Sequence, residues 1–128
     1  MLQRFIFFLW LFAIVSCQPV DITDDSSYLL YSDPELALQL TPGNAPVETP
    51  LQLQLNAKNV VSVSGEITGI SMYMGKIPLK FSQQQEVWQS EFLLGACSEP
   101  NMLWQLELDV LFEGGEKLKI KQQLTSSW

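Results

Sequence analysis

The chain has 128 residues, with seven Lys and Arg against 14 Asp and Glu (a formal net charge of −7), and it contains no histidine. A chain this acidic repels nucleic acid and anionic lipid headgroups, which excludes binding through basic patches. Without histidine, Ser-His-Asp catalysis, Cys-His catalysis and imidazole-bound metals are excluded, and no glycine-rich phosphate loop supports nucleotide binding, so we do not expect an enzyme.

The first predicted element is a secretory leader over residues 1–16. Arg4 is its only charge, and an apolar run follows that is too short to span a bilayer, which takes ~20 residues. Its last residues, Ile14-Val15-Ser16-Cys17, resemble the lipobox of bacterial lipoproteins, in which the cysteine is acylated and becomes the new N-terminus. The resemblance implies a palmitate-type anchor on Cys17. It also implies a place in the bacterial envelope facing the periplasm, at the outer membrane because Gln18 stands where an inner-membrane signal has Asp. The alternative is a plain secretory peptide cut near the same place.

Residues 17–34 are predicted to form an acidic, flexible tether between the lipid and the folded domain. From residue 18 to 33 they contain four Asp and three Ser, without a sustained hydrophobic period. The segment from Tyr28 to Tyr31 is apolar enough for part of the tether to dock on the domain. Because Arg4 leaves with the leader, the net charge of the mature chain becomes −8.

Residues 35–128 are predicted to be all-β, as an immunoglobulin-like antiparallel sandwich of about seven strands. Apolar and polar residues alternate along most of the segment, and Gly114-Gly115 marks a tight hairpin between the last two strands. The third and longest strand contains Gly65 and Gly69, which we interpret as bulges or points of close approach. The predicted strands cover residues 36–40, 51–55, 61–74, 77–81, 87–94, 104–112 and 118–124.

Cys97 is the one cysteine that remains if Cys17 carries lipid. An odd cysteine in an exported protein suggests a reactive thiol, an intermolecular bridge or a metal ligand. Its neighbours, from Gly95 to Pro100, are typical of a loop between two strands. Two alternatives stay open, namely a buried cysteine that packs as a small hydrophobe and a thiol that forms a mixed disulfide with a partner.

Three methionines are predicted to gather with Cys97 at one pole of the sandwich. The antiparallel strand order brings the turn after Met74 and the loop that holds Cys97 to the same end. Met72 and Met74 would share one face at the end of the third strand, while Met102 would share a face with Trp104. The alternative is that the methionines fill gaps at the end of the core.

Thiolate and thioether sulfurs are soft ligands that select Cu(I) over magnesium, calcium or manganese. We therefore expect a Cu(I) site whose ligands are Met72, Met74, Cys97 and Met102. An aromatic ring attracts a cation through its π face, and we expect Trp104 to lie against the ion in this way.

The run Gly65-x-Ile67-x-Gly69-x-Ser71-Met72-x-Met74-Gly75, followed by Trp88–Leu94 and Trp104–Val110, resembles the FixH/YtkA-like group of small periplasmic immunoglobulin-like domains. The resemblance covers about residues 49–124. That group is associated with copper handling and cytochrome oxidase assembly, so the resemblance implies a protein that binds or passes Cu(I). The rival expectation is a structural module without a metal site that docks another envelope protein.

Overall fold

The computed structural model describes residues 26–128, and the predicted leader, Cys17 and the tether up to residue 25 lie outside them. The described residues form nine β-strands and no helix, arranged in two antiparallel sheets. Across residues 26–128 there is thus no helix with the length and apolar character needed to cross a bilayer. The strands are β1 (Tyr28–Ser32), β2 (Leu36–Thr41), β3 (Leu51–Ala57), β4 (Val60–Gly69), β5 (Lys76–Lys80), β6 (Ser82–Gln84), β7 (Val87–Phe92), β8 (Leu103–Phe112) and β9 (Lys117–Thr125).

The strand order is that of an immunoglobulin-like sandwich. One sheet has the order β1-β2-β3-β7-β6 and the other β5-β4-β8-β9. The set β2-β3-β7-β6 corresponds to strands A, B, E and D of that fold, and β4-β8-β9 to strands C, F and G. The predicted fold class is therefore confirmed.

β8 shows why these sequences form strands. Its even-numbered residues from 104 to 110 are buried, whereas its odd-numbered residues from 105 to 109 are more exposed, so one face of the strand covers the core. The outward face pairs with β9 through ion pairs from Lys121 to Glu107 (3.4 Å) and from Lys119 to Asp109 (3.8 Å). Such exposed pairs contribute little, and apolar burial is the larger stabilising term.

The predicted third strand is wrong beyond Gly69. β4 ends there, and residues 70–75 form a loop that leads into β5. The chain folds back over Gly69, because a Cβ at this position would overlap the carbonyl oxygen of Met72 and Cε of Met102. The backbone N–H of Ile70 then donates to the carbonyl of Leu103 at 2.8 Å. Met72 and Met74 consequently lie in a loop rather than on one face of a strand.

Two strands add to the seven that were predicted. β1 falls within the range 17–34 assigned to the tether, and it pairs with β2 and buries Leu30. The folded domain therefore begins before residue 35. β6 falls between the predicted strands 77–81 and 87–94, and it pairs with β7 through three residues, Ser82 to Gln84, all of which are exposed. These exposed polar side chains have no apolar alternation that would predict a strand.

The loops gather at two opposite ends of the sandwich. We call one end the methionine pole, made of residues 42–50, 70–75, 93–102 and 126–128, and the other the acidic pole, made of residues 33–35, 58–59, 85–86 and 113–116. Backbone hydrogen bonds tie the methionine pole together, among them Glu48 N–H to the Leu94 carbonyl (2.8 Å) and Val47 N–H to the Ser127 carbonyl (2.9 Å). The predicted sulfur ligands all belong to the methionine pole.

Candidate metal centre at the methionine pole

Cys97 and Met102 bring two sulfur atoms of the predicted site into contact. Sγ of Cys97 lies 3.4 Å from Sδ of Met102, across the loop that joins β7 to β8. Cys97 is half-buried and packs against the core, whereas Met102 is only 1% exposed. Two sulfur ligands that each lie about 2.3 Å from one ion can be at most about 4.6 Å apart, so this spacing fits a shared ion.

Met74 lies in the loop that joins β4 to β5, and it approaches the loop that joins β7 to β8. Its Cε would lie 3.4 Å from a Cβ built on Gly95, two residues before Cys97. Met72 follows the bend at Gly69, where its carbonyl oxygen stands beside Cε of Met102. Both Met72 and Met74 are 37% exposed, so they are not sealed in the core. The predicted meeting of loops 70–75 and 93–102 is thus present, although a loop rather than a strand carries these two methionines.

Trp128, which the sequence pattern did not single out, contacts the same carbonyl oxygen as Cys97. The carbonyl oxygen of Glu99 accepts a hydrogen bond from Nε1 of Trp128 at 3.2 Å, and Sγ of Cys97 lies 3.5 Å from the same oxygen. Trp128 is 71% exposed, so its ring lies at the surface of the methionine pole. The sequence offered no signal for this contact, because residues 99 and 128 are brought together by tertiary structure, namely the pairing of β8 with β9 and the backbone hydrogen bonds of Ser127 to residues 45 and 47.

Trp104 lies beneath the pole, in the core. It is fully buried, and its Nε1 donates to Oγ of Ser126 at 3.1 Å. Ser126 Oγ in turn lies 3.4 Å from the carbonyl oxygen of Met102. This buried chain of contacts fixes the backbone of Met102 relative to β9. A direct contact of the Trp104 ring with a bound cation stays a prediction.

The donor set decides which metal chemistry is open to the pole. Within residues 26–128 no three Asp, Glu, Cys or His side chains come together as a metal-binding group. The sulfur donors of the methionine pole are one thiol and three thioethers, which are soft ligands suited to a soft monovalent ion. Glu48 and Glu99 are the charged residues of the four loops, so the pole carries a small negative charge that favours a cation.

Gly69→Ala is expected to disturb this arrangement. The added Cβ would displace the Met72 carbonyl and the Met102 methyl group, and such overpacking costs about 1–3 kcal/mol of unfolding free energy. Gly95→Ala is a matched control, because a Cβ there meets Met74 Cε only at ordinary contact distance. Denaturant unfolding of both variants measures the difference. Equal stabilities would contradict the close approach at Gly69.

Comparison of the chain with models of protein families, with curated proteins and with solved structures finds no significant match.

Proposed function

We propose that this is a lipid-anchored, non-catalytic protein of the bacterial envelope whose methionine pole binds or passes Cu(I) in the periplasm. Cys97 and Met102 would provide the first two ligands, and Met74 and Met72 would add thioether sulfurs from the facing loop. The 3.4 Å contact between Sγ of Cys97 and Sδ of Met102 is the observation that carries the proposal. The resemblance to the FixH/YtkA-like group supports the copper assignment, and the lipobox-like residues before Cys17 support the anchor.

The thiolate and the neutral thioethers would make different contributions to Cu(I) binding. The Cys97 thiolate would neutralise the charge of Cu(I), while the methionine sulfurs would complete the coordination without adding charge. Because Met102 is buried and Met72 and Met74 are partly exposed, the outer methionines could exchange with an incoming ligand before the inner pair releases the ion. This gradient of exposure suits a protein that passes copper on.

Titration with Cu(I) under anaerobic, reducing conditions tests the proposal, with residues 17–128 carrying Cys17→Ser in competition with a Cu(I) chelator. We expect a single ion to be retained by the protein, and Met102→Leu and Met74→Leu to weaken its binding. These swaps conserve volume and usually cost less than about 1.5 kcal/mol of stability, so ligation and folding are separated. Tyr73→Ser changes a residue without sulfur in the loop that holds Met74, so it should leave Cu(I) binding unchanged. Complete transfer of copper to the chelator would contradict the proposal.

Cys17→Ser is expected to move the protein from the membrane fraction to the soluble fraction. Stable attachment requires about two acyl chains, and the variant would have no thiol at residue 17 to receive the first. Fractionation after washing, together with the intact mass of the wild-type protein, measures the change. Cys97→Ser is the control, since it removes the other cysteine and should stay with the membrane. Membrane retention of Cys17→Ser would contradict acyl anchoring at this residue.

A second candidate function is a docking module without a metal site. The exposed apolar side chains of the methionine pole favour it, because large exposed apolar patches mark interaction surfaces. This candidate predicts that the protein has no Cu(I) affinity above that of a Met102→Leu, Cys97→Ser double variant. It also predicts that Tyr73→Ser weakens recovery of a specific envelope complex after crosslinking. The copper titration therefore separates the two functions.

A further inference from the structure

Exposed apolar side chains are concentrated at one end of the molecule. Six of the nine large apolar side chains that are exposed among residues 26–128 lie in the loops of the methionine pole. Tyr28 and Leu29 lie beside them at the start of β1, and Val61, near the start of β4, is the exception at the opposite end. The six in the pole are Ile70, Met72, Tyr73, Met74, Leu93 and Trp128, with Tyr73 the most exposed at 79%.

Charge is concentrated at the other end. The loops of the acidic pole carry five acidic residues and one lysine, a net charge of −4. The loops of the methionine pole carry two acidic residues, a net charge of −2. The five acids and the lysine are Asp33, Glu35, Glu86, Glu113, Glu116 and Lys58. An anionic membrane repels the acidic pole, so the charge distribution favours an orientation with the methionine pole toward a bilayer.

The chain enters the domain at the methionine pole. The carbonyl of Ser26 accepts a hydrogen bond from the Gly43 N–H at 2.6 Å, and β1 starts two residues later. Nine residue steps separate Cys17 from Ser26, and a chain of that length spans at most about 30 Å when fully extended. An acyl group on Cys17 would therefore hold this end of the domain, rather than the acidic end, close to the bilayer.

We infer that the methionine pole rests on the phospholipid surface, with Tyr73 and Trp128 at the level of the headgroups. Tyr and Trp are enriched at this depth because each has an apolar ring and a polar hydrogen-bonding group. Met72, Met74 and Leu93 add apolar surface around them. The inference rests on the proposed lipid anchor and adds an orientation to it, in which the candidate copper ligands face the membrane.

Fluorescence of Trp128 tests the inference in the acylated mature protein (residues 17–128), reconstituted into phosphatidylcholine vesicles with or without bromine on the acyl chains. The other tryptophans of the described chain, Trp88 and Trp104, are buried, so a contact with lipid should quench Trp128 selectively. We expect brominated lipid to quench the wild type and this quenching to be lost in Trp128→Phe. Acrylamide in the aqueous phase should quench Trp128 less on vesicles than in the soluble Cys17→Ser protein.

Val61→Trp in the Trp128→Phe background moves the reporter to the opposite end of the sandwich, where brominated lipid should have no effect. Equal quenching of the two reporters would overturn the orientation. Shielding of Trp128 from acrylamide without quenching by brominated lipid would mean that a protein surface or a second copy covers the pole. If the acylated protein floats with the vesicles but acrylamide quenches Trp128 as strongly as in solution, the orientation is overturned and the lipid anchor stands. A mass without acyl groups would overturn the anchor and the inference together.

Discussion

Replacing Trp104 by alanine is expected to lower the free energy of unfolding by about 3–5 kcal/mol. The side chain is fully buried in β8, and its loss would leave a large cavity between the two sheets. The substitution would also remove the indole N–H that donates to Ser126 Oγ, which itself lies 3.4 Å from the Met102 carbonyl. Urea or guanidinium unfolding with the same m-value in both proteins measures the difference.

Asp109→Ala is the control for Trp104→Ala, since Asp109 lies on the outward face of the same strand. Its ion pair with Lys119 is exposed and 3.8 Å long, so its loss should change stability by less than about 0.5 kcal/mol. Similar losses in the two variants would mean that β8 does not bury the face that carries Trp104.

Cys97→Ser is expected to have the largest effect of any single substitution on Cu(I) binding. It replaces the one thiolate of the candidate site, whereas each methionine substitution removes a neutral donor. We expect the affinity to fall by more than the 10–100-fold that loss of a group supporting a metal ligand typically costs. Competition with a Cu(I) chelator measures this ratio, and thermal unfolding of the apo protein checks that the fold is retained.

The ranking of the variants by loss of Cu(I) affinity separates direct ligation from an effect of loop shape. Loss of affinity should be greatest for Cys97→Ser, smaller for Met102→Leu and Met74→Leu, and absent for Tyr73→Ser. If Tyr73→Ser weakened copper binding as much as Cys97→Ser, the metal would be bound elsewhere or the loop would act only through its shape.

Strands with one buried face could be predicted from the sequence. In β3 and over residues 104–110 of β8 the apolar residues alternate strictly, for example Leu51, Leu53 and Leu55, and each of these side chains is buried in the structure. The hairpin at Gly114-Gly115 was also confirmed, with Gly115 at φ +85, a conformation that glycine adopts readily. At these positions the local apolar pattern and the turn residues were sufficient to predict the structure.

The end of β4 could not be predicted in the same way. Residues 70–74 continue the apolar pattern of the strand, but the chain turns at Gly69 because the Met72 carbonyl and Met102 occupy the space of its missing side chain. The contact with Met102 joins residues more than thirty positions apart, so no local pattern encodes it. Trp128 could not be predicted for the same reason, because it reaches the Glu99 carbonyl through the tertiary fold, after β9 has paired with β8. The shared pole of Cys97 and Met74, by contrast, follows from strand order.

X-ray absorption of the Cu(I)-loaded protein tests the central claim most directly, because it reports the atoms bonded to the metal. We predict a shell of sulfur alone, with copper–sulfur distances of about 2.3 Å as in thiolate metal sites, and a lower sulfur count in Met102→Leu. A shell dominated by nitrogen or oxygen, or a sulfur shell that is the same in Cys97→Ser and the wild type, would contradict a copper site at the methionine pole.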